Sequence, residues 1–585
     1  MTGTALVARS DSGGKYLISG VASGTVTVTA RTIGFAPLSR QVVVRDGRVV
    51  TVDFVLTPQP VAMEELVAST QADRRQRADL SVAAASPTSP VGKRMARAPT
   101  LRDFNTEEYR HFGDNGWQSS RRQPLSTFSI DVDAGSYSNV RRFLRDGRLP
   151  PKDAVRIEEM LNYFRYQYPD PRGGDPFSIT TELGEAPWRP GHKLARIGLQ
   201  GQRLSLDRLP PTNLVFLIDV SGSMQSADKL PLVKAAFRLL VNELRDQDRV
   251  AIVVYAGAAG LVLPSTPGGH KDQILAAIEG LEAGGSTAAG AGIQLAYKVA
   301  RDHFIPDGNN RVILASDGDF NVGVSSEGEL VRMIEERRED GVFLTVLGFG
   351  TGNLKDNKME QLANKGNGHY AYVDDLLEAK KVFVQELGAT LLTIAKDVKI
   401  QVEFNPARVR SYRLVGYENR ILADRDFNDD TKDAGEMGAG HSVTALYEIV
   451  PAGLTDGGDE GSVDPLKYQS RGSREAATSG DWFTVKLRYK DPKGSTSRLL
   501  ERVVSQETRS NSVDFRFAAA VAQFGMLLRD SEFKGRSSFG GVLTMARAAR
   551  GPDEEGYRAE FIRLVETAAT LSGKGHEPTE WEDRR

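Results

Sequence analysis

Leu214-Val-Phe-Leu-Ile-Asp219-Val-Ser221-Gly-Ser223-Met224 is the stretch whose reading decides the fold. Its unbroken, partly β-branched apolar run reads as a strand buried on both faces, the habit of parallel sheets. The run stops at an Asp, and two hydroxyls follow at alternate positions. A helix then starts near Lys229–Leu230 and runs to Leu244. The carboxyl end of a strand is where open α/β sheets bind ligands. Oxygen-only donors suit a hard cation such as Mg²⁺. The bare Asp-x-Ser-x-Ser pattern is weak by itself, because average composition predicts about 0.1–0.2 chance occurrences in a chain this long. A polar turn whose Ser and Asp cap the next helix would use the same residues.

Two further stretches sharpen the reading. Gly284-Gly-Ser-Thr287 lies between two helical segments, and Arg311-Val-Ile-Leu-Ala-Ser-Asp317 is a second buried strand ending on an Asp. Together the three pieces resemble the von Willebrand factor type A (VWA) domain and its metal-ion-dependent adhesion site. Asp219, Ser221 and Ser223 match the first part of that site, Thr287 the second and Asp317 the third. The resemblance implies Mg²⁺ or Mn²⁺, with Ca²⁺ as a further candidate. It implies direct ligation by Ser221 and Ser223, largely water-mediated contacts from Asp219 and Asp317, and Thr287 bound directly or through water. An open coordination position would take an acidic side chain from a partner protein. Mg²⁺ sheds its waters reluctantly, so few direct protein ligands are in keeping with it.

Outward from the central stretch, strands and helices alternate. Strands are expected at residues 214–218, 249–255, 311–315, 342–348 and 369–373. Helices are expected at 230–244, 272–281, 290–301, 327–340, 356–365 and 376–387. Such alternation predicts a mostly parallel, doubly wound sheet. Gly260-Leu-Val-Leu-Pro264 reads as a short antiparallel edge strand, where its Pro is tolerated. The glycines of Leu347-Gly-Phe-Gly-Thr-Gly-Asn-Leu-Lys355 have no following Lys-Ser/Thr and read as a strand-to-helix turn, not a phosphate loop.

Before this domain, residues 1–60 alternate with period two, giving half-buried strands at Gly24–Arg31 and Gly47–Leu56. Asp11-Ser-Gly-Gly-Lys-Tyr-Leu-Ile-Ser-Gly20 and Thr32-Ile-Gly-Phe35 resemble a truncated carboxypeptidase regulatory-like β-sandwich, a module usually passive and extracytoplasmic. The match begins partway into that module, which predicts a gene start upstream together with a signal peptide. Residues 61–100 read as a Pro/Ser/Ala/Arg linker. Ser126-Thr-Phe-Ser-Ile-Asp-Val-Asp133, Arg156-Ile-Glu-Glu-Met-Leu-Asn-Tyr-Phe164 and Phe524-Gly-Met-Leu-Leu-Arg-Asp-Ser-Glu532 resemble the bacterial YfbK-like proteins. Asp131 and Asp133 are candidates for a second cation site. A strand end turning into a helix cap is the favoured alternative.

The expected organisation is thus a multidomain α/β protein around a central doubly wound, Rossmann-like VWA sheet at 211–390. An N-terminal β-sandwich, a YfbK-type α+β region at 101–205, a C-terminal β-plus-helical region at 391–572 and a tail at 573–585 surround it.

Composition excludes several functions. Net charge is −2, which gives no global electrostatic case for nucleic acid. There are no cysteines, hence no disulfides or thiolate metal sites. The seven His residues are scattered without zinc spacing, and no Gly-x-Ser-x-Gly elbow occurs. Ser221 as a nucleophile would lack a local base. The expected function is therefore non-enzymatic, cation-dependent protein binding in the periplasm or cell envelope. The alternative is an envelope scaffold whose cation site serves stability, and a hydrolase is the remainder.

Overall fold

A computed structural model describes residues 15–16, 18, 21, 23–30, 38–45, 49–54, 106–205, 209–285, 289–318, 327–386, 391–454, 480–508 and 510–573. The chain has a multidomain α/β architecture with both parallel and antiparallel strand pairing. It divides into one compact unit of residues 1–105, 211–234 and 244–342, and a second of 106–210, 235–243 and 343–585.

In the first unit, Thr212–Asp219 is the central strand and all eight of its residues are buried. It pairs in parallel with Asn309–Ser316 on one side and with Arg249–Tyr255 on the other. Ala259–Pro267 follows, antiparallel to Arg249–Tyr255. A strand covered on both faces cannot alternate apolar and polar residues, which is why these strands read as continuous hydrophobic runs. Leu230–Glu243, Lys271–Glu279, Ala289–Asp302 and Glu327–Glu339 are the intervening helices. These elements fall within three residues of the sequence expectation at either end.

Near the N-terminus, Gly24–Ala30 pairs antiparallel with Leu38–Val44. The expected strand Gly47–Leu56 is a correction, since its described residues 49–54 form no strand. Val49 is 89% exposed and Val50 43%, while the alternate residues Val52 and Phe54 are half-buried without joining a ladder. A period-two pattern becomes a strand only when a neighbouring edge accepts its hydrogen bonds, and Leu38–Val44 supplies the ladder instead.

The second unit carries the parallel pair Val342–Phe349 and Tyr370–Val373, with the helix Asp356–Lys365 between them. It also holds two five-stranded, mainly antiparallel sheets. Both mix strands from distant parts of the chain. Leu125–Ser129 pairs with Thr393–Phe404, and Lys193–Gly201 pairs with Ser442–Pro451. Ile197, Leu199, Val443, Ile449 from one sheet and Phe128, Val402, Val485, Leu487 from the other share one core. Strands Val409–Val415 and Ser497–Val504 were not expected from the sequence.

A second core is built on Val513–Arg529, nearly all of it buried, with Phe539–Ala548, Tyr557–Leu571, Gly135–Arg145 and Ile157–Asn162 around it. Phe164, Phe517, Phe524 and Phe561 meet edge to face there. The favoured quadrupole geometry adds to their burial. Ser538 caps Phe539–Ala548, its Oγ accepting from the Gly541 amide at 3.1 Å. Ser538→Ala is expected to lower stability by about 1 kcal/mol in urea unfolding. An unchanged midpoint would show that the cap is idle.

Candidate metal centre

The site is assembled by three backbone features of the first unit. The central strand ends on Asp219, which parallel register sets beside the end of Asn309–Ser316. Asp317 follows that neighbouring strand directly. The loop after Asp219 is pinned from both sides, because the Val220 amide donates to the Tyr255 carbonyl at 2.9 Å and the Gly222 amide to the Gly285 carbonyl at 3.0 Å. The Gly284 amide donates back to the Val220 carbonyl at 2.7 Å. A Cβ on Gly222 would stand 3.3 Å from the Gly285 carbonyl oxygen, so this close approach favours glycine. The two loops that the sequence brought under suspicion are thus joined by backbone hydrogen bonds.

Asp219 is fully buried and oriented by neutral donors. The Ser221 amide donates to its Oδ1 at 2.9 Å, and the Ser316 hydroxyl to its Oδ2 at 3.0 Å. Burial pushes the Asp219 carboxyl up to about 6; the Ser221 hydrogen bonds work against that shift, and the nearby Asp317 carboxylate adds to it. The Ser221 and Ser223 hydroxyls stand 3.0 Å apart, with Ser221 buried and Ser223 exposed. Asp317 is fully buried, and the Lys229 ammonium donates to its Oδ2 at 2.9 Å.

Four of the five expected ligands, Asp219, Ser221, Ser223 and Asp317, therefore belong to one end of the sheet. Thr287 lies outside the described residues. Sequence reasoning missed Ser316, which orients Asp219, and Lys229, which pairs with Asp317. Ser316 had a signal in standing next to Asp317 at the strand end, whereas Lys229 read only as the start of a helix. The donor set fits a hard divalent ion. It offers oxygens only, two of them neutral hydroxyls, and a buried carboxyl whose charged form lacks a direct cationic partner at its hydrogen-bonding positions.

Asp131 and Asp133 belong to a different arrangement in the second unit, and the helix-cap alternative is corrected. Ala134 is the N-cap of Gly135–Arg145, with no side-chain cap. Asp131 and Asp133 instead accept from Arg420 at 3.1 and 3.3 Å. Asp131, Glu159 and Glu360 bring carboxylate oxygens within 4.8 Å of one another. Arg420 reaches Glu360 at 3.1 Å, and Arg156 pairs with Glu159 and with Asp356. Arg156 and Arg420 bring guanidinium groups to this cluster. The order Ser-x-Asp-x-Asp before a helix cannot reveal this, because Arg156 and Arg420 arrive from elsewhere in the chain.

Comparison with known proteins agrees with this architecture. The family model described as "von Willebrand factor type A domain" matches residues 213–385. "Uncharacterized protein YfbK, C-terminal" matches 389–571, "von Willebrand factor" 103–196, and "Carboxypeptidase regulatory-like domain" 1–57. The chain is 44% identical over 490 residues to "Uncharacterized protein YfbK" of Escherichia coli (strain K12), covering 82% of this chain and 84% of that protein. It is 25% identical over 261 residues to human inter-alpha-trypsin inhibitor heavy chain H3, covering 41% of this chain and 28% of that protein. Among solved structures, a von Willebrand factor type A protein from Catenulispora acidiphila aligns with a TM-score of 0.38 and 16% identity, covering 69% of this chain and 91% of that one. On the strength of the likeness to YfbK along most of both chains, this chain belongs to the YfbK family, with a VWA domain and a carboxypeptidase regulatory-like N-terminal module.

Proposed function

We propose that this chain is a non-enzymatic, divalent-cation-dependent protein-binding protein of the cell envelope. VWA domains generally mediate protein–protein interaction. Asp219, Ser221, Ser223 and Asp317 would hold Mg²⁺ or Mn²⁺, joined by Thr287. An acidic side chain of a partner would complete the coordination. The observation that carries this reading is the convergence of a buried carboxylate, two adjacent hydroxyls and a second buried carboxylate at the ends of two neighbouring parallel strands. Neutral hydroxyls leave a bound ion electrophilic, so it retains attraction for an anionic group. No helix among the described residues is long and apolar enough to cross a membrane.

One observation favours a second reading, that of an envelope scaffold which, unlike the one expected from the sequence, holds no stabilising cation. Asp317 already has a cationic partner in Lys229, so the fold does not depend on a metal to neutralise it. A thermal melt with EDTA, Mg²⁺, Mn²⁺ or Ca²⁺, beside Asp219→Ala, separates the two. An ion that binds only the folded chain stabilises it by about 2.7 kcal/mol at a hundredfold excess over its Kd. The expected result is a rise with Mg²⁺ or Mn²⁺ that the variant loses. No shift at millimolar metal would hand the lead to the scaffold reading.

A further inference from the structure

Lys229 is out of place in a site built for a cation. It is 7% exposed, and its ammonium stands 2.9 Å from Asp317 Oδ2. Its backbone is fixed as well, since the Lys229 amide donates to the Ser226 carbonyl at 3.0 Å and its carbonyl accepts from the Val233 amide at 2.9 Å. The side chain therefore projects from a set point at the start of Leu230–Glu243. Asp219 is hydrogen-bonded to neutral donors instead. Among the described residues at the strand ends, Lys229 pairs with Asp317, one of the two buried carboxylates. Asp219, Asp317 and Lys229 taken by themselves carry one formal negative charge, which a divalent ion would turn into one positive charge.

We infer that Lys229 sets the charge of this site, weakening the hold on the ion while giving the loaded site the positive face that captures an anionic partner group. This rests on the proposed reading that the site takes a divalent cation. Like charges close together in a poorly solvated setting repel strongly, so the ammonium opposes metal entry. The same charge is spread over an opening whose ion has coordination positions left, and it favours a carboxylate over water there. Lys229 is thereby a specificity-determining residue whose removal changes the two binding steps in opposite directions. An ammonium that only anchored Asp317 would change them in the same direction, because a displaced carboxylate harms both.

The test uses the full chain, with Lys229→Met, Lys229→Gln and Lys229→Arg. Glutamine keeps a donor toward Asp317, and arginine keeps the charge. Melts in EDTA first establish that each variant is folded. Mn²⁺ affinity is then measured by the electron paramagnetic resonance signal of free Mn²⁺, in chloride and again in acetate as a carboxylate probe. In wild type and Lys229→Arg, acetate is expected to tighten apparent Mn²⁺ binding. Whichever neutral variant folds is expected to bind Mn²⁺ at least fivefold more tightly in chloride and to lose most of the acetate effect. Unchanged or weaker Mn²⁺ binding in the folded neutral variant overturns the inference while leaving the cation reading standing. Absence of Mn²⁺ binding in wild type and every variant overturns both.

Discussion

Arg141→Met is expected to cost about 3–5 kcal/mol of folding stability at neutral pH, because it strands buried carboxylates. Arg141 is 1% exposed on the helix Gly135–Arg145. Its guanidinium donates to Asp374 through Nε at 2.8 Å and also through Nη2, to Glu378 at 2.8 Å, to Glu560 at 3.2 Å and to the Tyr163 hydroxyl at 2.8 Å. These partners come from the turn after Tyr370–Val373, from Leu376–Lys380 and from Tyr557–Leu571. One planar cation thus joins elements that are remote in sequence. Removing one member of such a network leaves buried carboxylates short of counter-charge, which is more harmful than never having built it. Burial pushes the Asp374 carboxyl up to about 6 even with Arg141 holding it down. In the variant it should protonate more readily still. The loss measured by urea unfolding is therefore expected to be larger at pH 7.5 than at pH 5.5. A loss below about 1 kcal/mol at pH 7.5 would mean that Arg145, which reaches Asp375 and Glu560, compensates fully.

Glu158→Gln is expected to remove a pH dependence amounting to a few kcal/mol between pH 5 and 8. Glu158 is 1% exposed on Ile157–Asn162, and its Oε2 has no hydrogen-bond partner. Burial first, and then the Glu418, Glu159 and Asp131 carboxylates, push it up to about 8 from a usual value of 4.5. The folded chain therefore keeps this proton over a range in which the unfolded chain has lost it. Stability is greatest below the unfolded value and falls as pH rises toward the folded one. The slope is roughly 1 kcal/mol per pH unit, levelling off above about 8. A glutamine cannot ionise, so the variant should lose less stability across that window. Glu159, held by Arg156, is present in both proteins. Superimposable urea midpoints from pH 5 to 8.5 would sink the prediction.

The central sheet was legible because its code is local. A strand covered on both faces is apolar through its middle, so residues 214–218 and 312–315 announce themselves, and a carboxylate that ends such a run stands out. Asp219, Ser221, Ser223 and Asp317 follow from that code together with the resemblance to VWA domains. Val409–Val415, Arg-Ser-Tyr-Arg-Leu within it, gave no such signal. Its Arg413 is buried against Glu448, a partner that no window of neighbouring residues contains. Gly47–Leu56 failed in the opposite way, since its Val52 and Phe54 are half-buried as the alternation promises, yet residues 49–54 join no ladder.

The sequence by itself determined the alternation that builds the VWA sheet, the apolar helix Val513–Arg529 and the oxygen donors at the sheet's carboxyl edge. Periodicity and strand-end chemistry are properties of adjacent residues. Tertiary structure alone decided that Leu125–Ser129 joins Thr393–Phe404 and that Lys193–Gly201 joins Ser442–Pro451. It alone decided that Asp131 and Asp133 meet Arg420, and that Lys229 meets Asp317. Edge pairing and the neutralisation of buried charge are settled by whichever groups the folded chain brings into contact, and sequence distance does not limit that choice.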